Sequence, residues 1–132
     1  MQIIKCRSIC RGIGRGKLLI SKDAISFLGG VDPKTGVVVE KGHALEGKNI
    51  AGTVLVFPRG KGSTVGSYVI LQLKKNGKAP CAIVNVEVEP IIAVGAIISG
   101  IPMVDKPQKD VYALLKDGSL AEVDGEKGEI RV

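Results

Sequence analysis

Apolar positions along this chain fall into short, dense blocks separated by glycine, proline and charge. Residues 2–7 and 17–20 form the first two blocks, parted by the glycine-punctuated "CRGIGRG". Their apolar residues alternate poorly, which predicts strands buried on both faces rather than on one. The next stretch, "FLGGVDPKTGVVVEKGHALEGKN" (27–49), carries Gly-Gly, Asp-Pro and Thr-Gly turn signals and too little periodicity for a helix. A loop this long inside a compact domain is expected to be functional or to form an interface.

From residue 53 the pattern becomes regular. "TVLVFP" predicts a short buried strand, and a helix is expected from Ser63 to the "KKNG" that ends at Gly77. The β-branched residues in "VILQL" leave a strand as the alternative, but a hydroxyl at the start and Lys-Lys-Asn-Gly at the end both favour the helix. "CAIVNV" (81–86) is a second strand, Pro90 to about Ser99 a second helix stopped by Gly100 and Pro102, and "IPMV" a third strand. Strand–helix–strand–helix–strand in this order predicts right-handed crossovers and a parallel sheet. The tail predicts strands at 111–115 and 119–123 joined by an Asp117-Gly118 turn, and a last one near 129–132. No internal repeat interrupts this order, so the expected architecture is a single α/β domain spanning 1–132.

Composition narrows the picture. At 132 residues with 45% hydrophobic content, the chain can bury a genuine core. Aromatic content is only 3%, with no tryptophan, so that core is built from Val, Ile, Leu and Ala. A net charge of +6 admits an acidic partner or anionic substrate. Nucleic acid is disfavoured, because Phe27, Phe57, Tyr68 and Tyr112 form no stacking motif. No apolar run approaches the ~20 residues that span a bilayer. Cys6, Cys10 and Cys81 are odd in number and follow no signal peptide, which predicts a reducing, cytoplasmic setting. C-x3-C is not a zinc-binding spacing, so the three thiols are expected to pack rather than to ligate metal. His43 is the sole histidine and offers no local Ser-His pair.

Candidate chemistry concentrates in "PRGKGST" (58–64). It resembles a phosphate loop, yet the Walker order fails: Lys61 is followed by Gly62, and only then by Ser63 and Thr64. Two readings of Ser63 remain. It is an N-cap, or it faces an anion-binding site made by free N–H groups at the C-terminal edge of a parallel strand. Arg59 supplies a fork for a carboxylate and Lys61 a point charge. Backbone at Gly62 and Thr64 adds candidate donors. Asp32 is a turn-former before proline, although Gly29 and Gly30 beside it allow close approach of backbone to a ligand.

Three stretches, "SFLGGVDPKTG" (26–36), "GKNIAGTVLVFPRGKGSTVGSYVILQL" (47–73) and "APCAIVNVEVEPIIAVGAIISGIPMVD" (79–105), closely resemble the aconitase X family, specifically its small, swivelling-domain subunit. The resemblance implies a swivelling β/β/α domain with a central parallel or mixed sheet, like the mobile domain of aconitase. It implies a hydro-lyase that dehydrates (R)-5-phosphomevalonate to trans-anhydromevalonate 5-phosphate in a modified mevalonate pathway. A related activity in the family acts on cis-3-hydroxy-L-proline. It further implies a [4Fe-4S] cluster carried by a large subunit, a heterodimeric assembly with the active site between the subunits, and no metal on this chain. The family's proton-acceptor serine falls on Ser63. A non-catalytic anion-binding module using the same loop is the alternative from another class.

Overall fold

The computed structural model describes residues 2–132, which form eight strands and four helices. Strands β3 (Ile13–Ile20), β4 (Val54–Phe57), β5 (Ala82–Asn85) and β6 (Met103–Asp105) lie side by side in chain order, all parallel. Helix α2 (Gly66–Lys75) connects β4 to β5, and helix α3 (Pro90–Ser99) connects β5 to β6. The parallel unit β4-α2-β5-α3-β6 is as the pattern predicts, and β3 joins it as a fourth parallel strand. Because both crossovers step in the same direction, both helices cover the same face.

Alternate residues of these strands serve different cores. Leu55, Phe57, Ile83 and Met103 join Ile70, Leu73, Ile92 and Ala96 in an outer core beneath the helices. Val54, Val56, Ala82, Val84 and Val104 point the other way, into an inner core with Leu18, Val123 and Ile130. Burial on both faces explains the poor alternation of the sequence. Burying one such aliphatic side chain contributes about 1.5–3 kcal/mol, so a chain with few aromatics needs both layers.

The inner core is enclosed by an antiparallel half. Strand β7 (Leu120–Asp124) pairs with β3, and β8 (Glu129–Arg131) pairs with β7. The expected first strand is divided at Cys6 into β1 (Ile3–Lys5), which pairs with β8, and β2 (Arg7–Cys10), which pairs with β6. The hydrogen-bonded order is therefore β1-β8-β7-β3-β4-β5-β6-β2. Its two ends are neighbours in the chain, so the sheet closes on itself. At the bend the Cys6 N–H donates to Gly128 on one side (2.7 Å), while Lys5 accepts from Gln108 on the other (2.8 Å). The Ser8 hydroxyl donates to the Gly125 carbonyl, tying β2 to the turn between β7 and β8.

Three further expectations change. Strand β3 starts at Ile13 instead of 17, because Gly14 and Gly16 are part of the strand. A side chain at Gly14 would lie 2.1 Å from the Cys81 carbonyl, and one at Gly16 would lie 2.6 Å from that of Gly52. These glycines let neighbouring backbone approach; they do not end the strand. Residues 111–115 are not a strand. Asp110 accepts from the Tyr112 N–H at 2.9 Å and starts a single helical turn, α4 (Val111–Leu114), which directs Val111 and Leu115 into the inner core. The long 27–49 stretch begins with another single turn, α1 (Phe27–Gly30), and closes over the outer core with Phe27, Val31, Val38 and Leu45. Among the described residues, no helix is long and apolar enough to cross a membrane.

The edge formed by β1, β7 and β8 is held by charge. Arg131 donates to Glu122 (2.5 Å), Asp124 (2.6 Å) and Glu129 (2.8 Å), and Lys5 pairs with Glu129 at 2.6 Å. Backbone N–H groups and Arg131 hold the Asp124 carboxyl below its ordinary value; Lys5 and Arg131 do the same for Glu129. Carboxyls depressed on folding stabilise the fold above their unfolded values, near pH 4, and that stabilisation is lost as pH falls through the depressed values. We expect thermal unfolding midpoints to drop between pH 6 and pH 3. Arg131→Met should lower the midpoint at pH 7 and flatten the drop, whereas equal slopes for the two proteins would show that Arg131 does not set these carboxyls.

Candidate active site

Parallel pairing brings the C-terminal ends of β3, β4, β5 and β6 to one edge, so the segments that follow Ile20, Phe57, Asn85 and Asp105 converge there. Ligands of open parallel sheets bind beyond this end of the strands. The "PRGKGST" loop runs along this edge from β4 to α2.

The loop is seated by three contacts. Ile25 pairs with it as a short parallel bridge: its N–H donates to Arg59 (3.2 Å), and its carbonyl accepts from Lys61 (3.0 Å). Gly60 is pressed against the start of α3, where an added Cβ would lie 2.4 Å from Ile92 and 2.5 Å from Glu89 Oε1. Glu89 itself caps α3, accepting from the N–H groups of Ile91 (3.0 Å) and Ile92 (2.9 Å). Gly62 has φ of +89°, and its missing Cβ would lie 2.5 Å from the Ser26 hydroxyl. Beneath the loop, buried Asn85 donates to the last carbonyl of β4, that of Phe57, at 3.1 Å.

Ser63 is exposed, and it is not the N-cap of α2. The helix starts at Gly66, and Val65 occupies the cap position without a side-chain bond. Ser63 instead opens a tight turn: its carbonyl accepts from Gly66 (3.0 Å), and its Oγ accepts from the Val65 N–H (3.1 Å). A Cβ added at Gly66 would lie at ordinary contact distance from Ile91, Phe27 and Leu28. The turn leaves the N–H groups of Gly62, Ser63 and Thr64 without partners among the described residues. Three successive exposed donors at a helix entrance attract an anion.

The two cations of the loop differ. Lys61 pairs with Glu40 at 3.0 Å, both side chains being substantially exposed. Such a pair is worth about 0–1 kcal/mol, weak enough for a substrate anion to replace Glu40. Arg59 has no ion pair among the described residues and lines a cleft of about 670 Å³ with Lys22, Val86, Glu87, Glu89 and Tyr112.

Gly29 and Gly30 lie beside this loop. Leu28 borders Gly66, and Gly30 borders Glu40, the partner of Lys61. Asp32 is placed apart. Its carboxylate accepts from Lys34, and the neighbouring Pro33 carbonyl is held by Asn76, beyond the C-terminal end of α2. Ten helical residues, about 15 Å, separate the two ends. His43 is buried and structural, with Nε2 donating to Ala24 (2.9 Å) and Nδ1 accepting from Leu45 (3.0 Å).

The thiols are spread between layers. Cys10 packs on the outer core, Cys6 and Cys81 on the inner one. Burial and the nearby Asp105 and Glu129 push the Cys6 thiol up to about 12, and burial raises Cys10 and Cys81 as well.

Sequence reasoning missed Ser26, Glu40, Glu89 and Lys22. Glu89 alone had a local signal, an acceptor directly before a proline at the first helical position. The others reach the loop only through folding.

A closed mixed sheet with helices on one outer face and a glycine-rich loop at the parallel edge is the architecture of a swivelling β/β/α domain. The sequence matches the aconitase X swivel domain over residues 3–132, and the chain belongs to that family. It is 64% identical to the phosphomevalonate dehydratase small subunit of Methanocella arvoryzae, covering 98% of both chains. It is 63% identical to that of Methanosarcina acetivorans, covering 98% of this chain and 90% of that one. The crystal structure of Thermococcus kodakaraensis aconitase X (holo-form) superposes with a TM-score of 0.94 at 53% identity, covering 99% and 98% of the two chains.

Because Gly60 seats the loop, Gly60→Ala should force it away from Glu89 and Ile92. A Gly42→Ala control adds only backbone strain, since φ is +80° and nothing lies within 4 Å, costing about 1–2 kcal/mol. In urea titrations both variants should be destabilised, but only Gly60→Ala should lose the activity of the assembled enzyme. Full activity in Gly60→Ala would mean that the seat does not matter.

Proposed function

We propose that this chain is the small subunit of a phosphomevalonate dehydratase, acting in the mevalonate route to isoprenoids, and that Ser63 accepts the proton removed during dehydration. The observation that carries this reading is the exposed Ser63 hydroxyl among three unpartnered N–H groups, between Arg59 and α2 at the parallel edge. The relatives' names supply the substrate class.

Dehydration beside a carboxylate takes a proton from carbon while hydroxide leaves the adjacent carbon. The developing charge needs fixed donors, and the substrate's carboxylate and phosphate need cations. Arg59 suits one anionic group bidentately. The N–H groups of Gly62, Ser63 and Thr64, with Lys61 once it leaves Glu40, suit another. Gly29 and Gly30 allow backbone to approach the same ligand, and Asp32 remains a supporting turn.

Serine is a poor base unless its alkoxide is stabilised. The Val65 N–H points at Oγ, and the α2 dipole adds at most ~2 kcal/mol, or roughly 1.5 pKa units. That is insufficient alone. The exposed loop must be covered so that Arg59, Lys61 and the partner's groups act in a water-poor site. The large subunit is the covering body in this reading.

The cysteines of this chain do not suit the [4Fe-4S] cluster that the family implies. Cys10 lies against the outer core and Cys6 and Cys81 against the inner one, and among the described residues no three His, Cys, Asp or Glu side chains gather as a metal site. We therefore assign the cluster to the large subunit and rest the chemistry of this chain on its own side chains and backbone.

The purified chain alone should show no dehydratase turnover, and anaerobic mixing with its large subunit should produce it. Ser63→Ala should fold and assemble, yet lower kcat by at least ~100-fold, as when a general base is lost. Arg59→Lys should chiefly raise KM, keeping charge without the planar fork, and Thr64→Ala should be mild. Near-normal kcat for Ser63→Ala in the assembled enzyme would reduce Ser63 to a turn-former.

A further inference from the structure

Helix α3 presents no polar side chain from Pro90 to Ile98. A helix that is apolar on every side is normally buried on every side. Here only one side is covered: Ile92, Gly95 and Ala96 face α2 and the sheet. Val94, Ile97 and Ile98 are 47%, 56% and 46% exposed. The neighbouring turn and helix add Val65 and Tyr68, at 46% and 64%. Between them runs a groove of about 310 Å³, lined by Thr64, Val65, Tyr68, Pro90, Ile91 and Val94, with little polar surface. Scattered apolar residues need no explanation, but a contiguous stripe at i, i+3 and i+4 joined to a groove marks a contact surface.

We propose that this α2–α3 face is where the large subunit docks; the inference rests on the assignment of this chain as the small subunit of a two-subunit dehydratase. Two observations favour that occupant. The groove ends on Thr64, directly after Ser63, so a body seated in it also closes over the open side of the loop. That is the cover which proton removal by serine requires.

Charge argues against a second copy. The chain carries +6, and the loop that enters the groove at Thr64 also carries Arg59, without an ion pair among the described residues, and Lys61, paired with Glu40. A two-fold interface repeats the same patch on both sides. Self-pairing through this groove would draw two basic loops together, a like-charge arrangement that disfavours association. A partner offering an apolar knob fills the groove while leaving Arg59 and Lys61 to the substrate. Tyr68, large, amphipathic and mostly exposed, is the expected anchor.

The test uses the full chain and its purified large subunit. Val94→Asp and Tyr68→Ala are made at exposed positions, with Leu120→Asp, 59% exposed on β7, as the remote control. Each variant is checked by thermal melting, and its affinity for the large subunit is measured by calorimetry. Binding at least tenfold weaker for Val94→Asp and Tyr68→Ala, with Leu120→Asp unchanged, is the expected result. Wild-type affinity in both face variants, while Ser63→Ala abolishes turnover, would overturn the docking surface and leave the functional reading standing. Failure of the wild-type chain either to bind or to activate the large subunit would remove the functional reading itself. Sedimentation of the isolated chain decides the remaining rival: a dimer that Val94→Asp dissolves would assign the face to a second copy and overturn the proposal.

Discussion

The extended segment from Ile3 to Cys10 belongs to both ends of the sheet, pairing with β8 before Cys6 and with β6 after it. Sheet edges are exposed rows of unpaired N–H and carbonyl groups, and closure removes them. It also creates an interior. Ile4 of β1 packs in that interior with Val54, Val56, Ala82 and Val84, alongside Val123 and Ile130 from β7 and β8. The bend is therefore the constraint behind the inner core. Buried Asp105 confirms how firmly the seam is made: Arg7 of β2 holds it with two bonds of 2.8 Å, and Val88 donates a third at 3.0 Å.

That rigid base explains how a glycine-rich loop can hold a defined shape. Four parallel strands end together, and the loop after β4 is clamped between Ile25 on one side and the Glu89 cap of α3 on the other. Glu89 joins the two halves of the site, since the carboxylate that satisfies the α3 N-terminus is the one against which Gly60 rests. What the clamp leaves free is also informative. The Ser63 turn satisfies its own carbonyl and the Val65 N–H, but leaves the N–H groups of exposed Gly62, Ser63 and Thr64 without partners among the described residues.

Electrostatics and packing point to the same incompleteness. Dipole and a single N–H bond cannot turn an exposed serine into a base. Beside it, a helix composed as a buried helix is left half in water. Each feature is unusual for a finished enzyme and ordinary for a subunit whose surface is completed by another chain.

The three parallel strands from residue 54 to 105 and both long helices could be read from residues in sequence, because they rest on local facts: apolar blocks, Pro90 at a helix start, Lys-Lys-Asn-Gly at a helix end. The candidate loop was legible for the same reason, since a misordered Lys-Gly-Ser-Thr between strand and helix does not match a nucleotide loop. The bend at Cys6, the strand running through Gly14 and Gly16, the helical turn at Val111 and the true start of α2 were not legible. Each depends on a group distant in sequence: the Gly128 and Gln108 bonds at the bend, the Cys81 and Gly52 carbonyls, an inner core that draws in Val111 and Leu115, and Phe27 and Leu28 packed beside Gly66. The sequence determined which residues are candidates for the proposed chemistry. Tertiary structure decided that Glu40 engages Lys61 while Arg59 stays free and Asp32 lies beyond the far end of α2, because ion pairing and distance are set by closure of the sheet and not by neighbours along the chain.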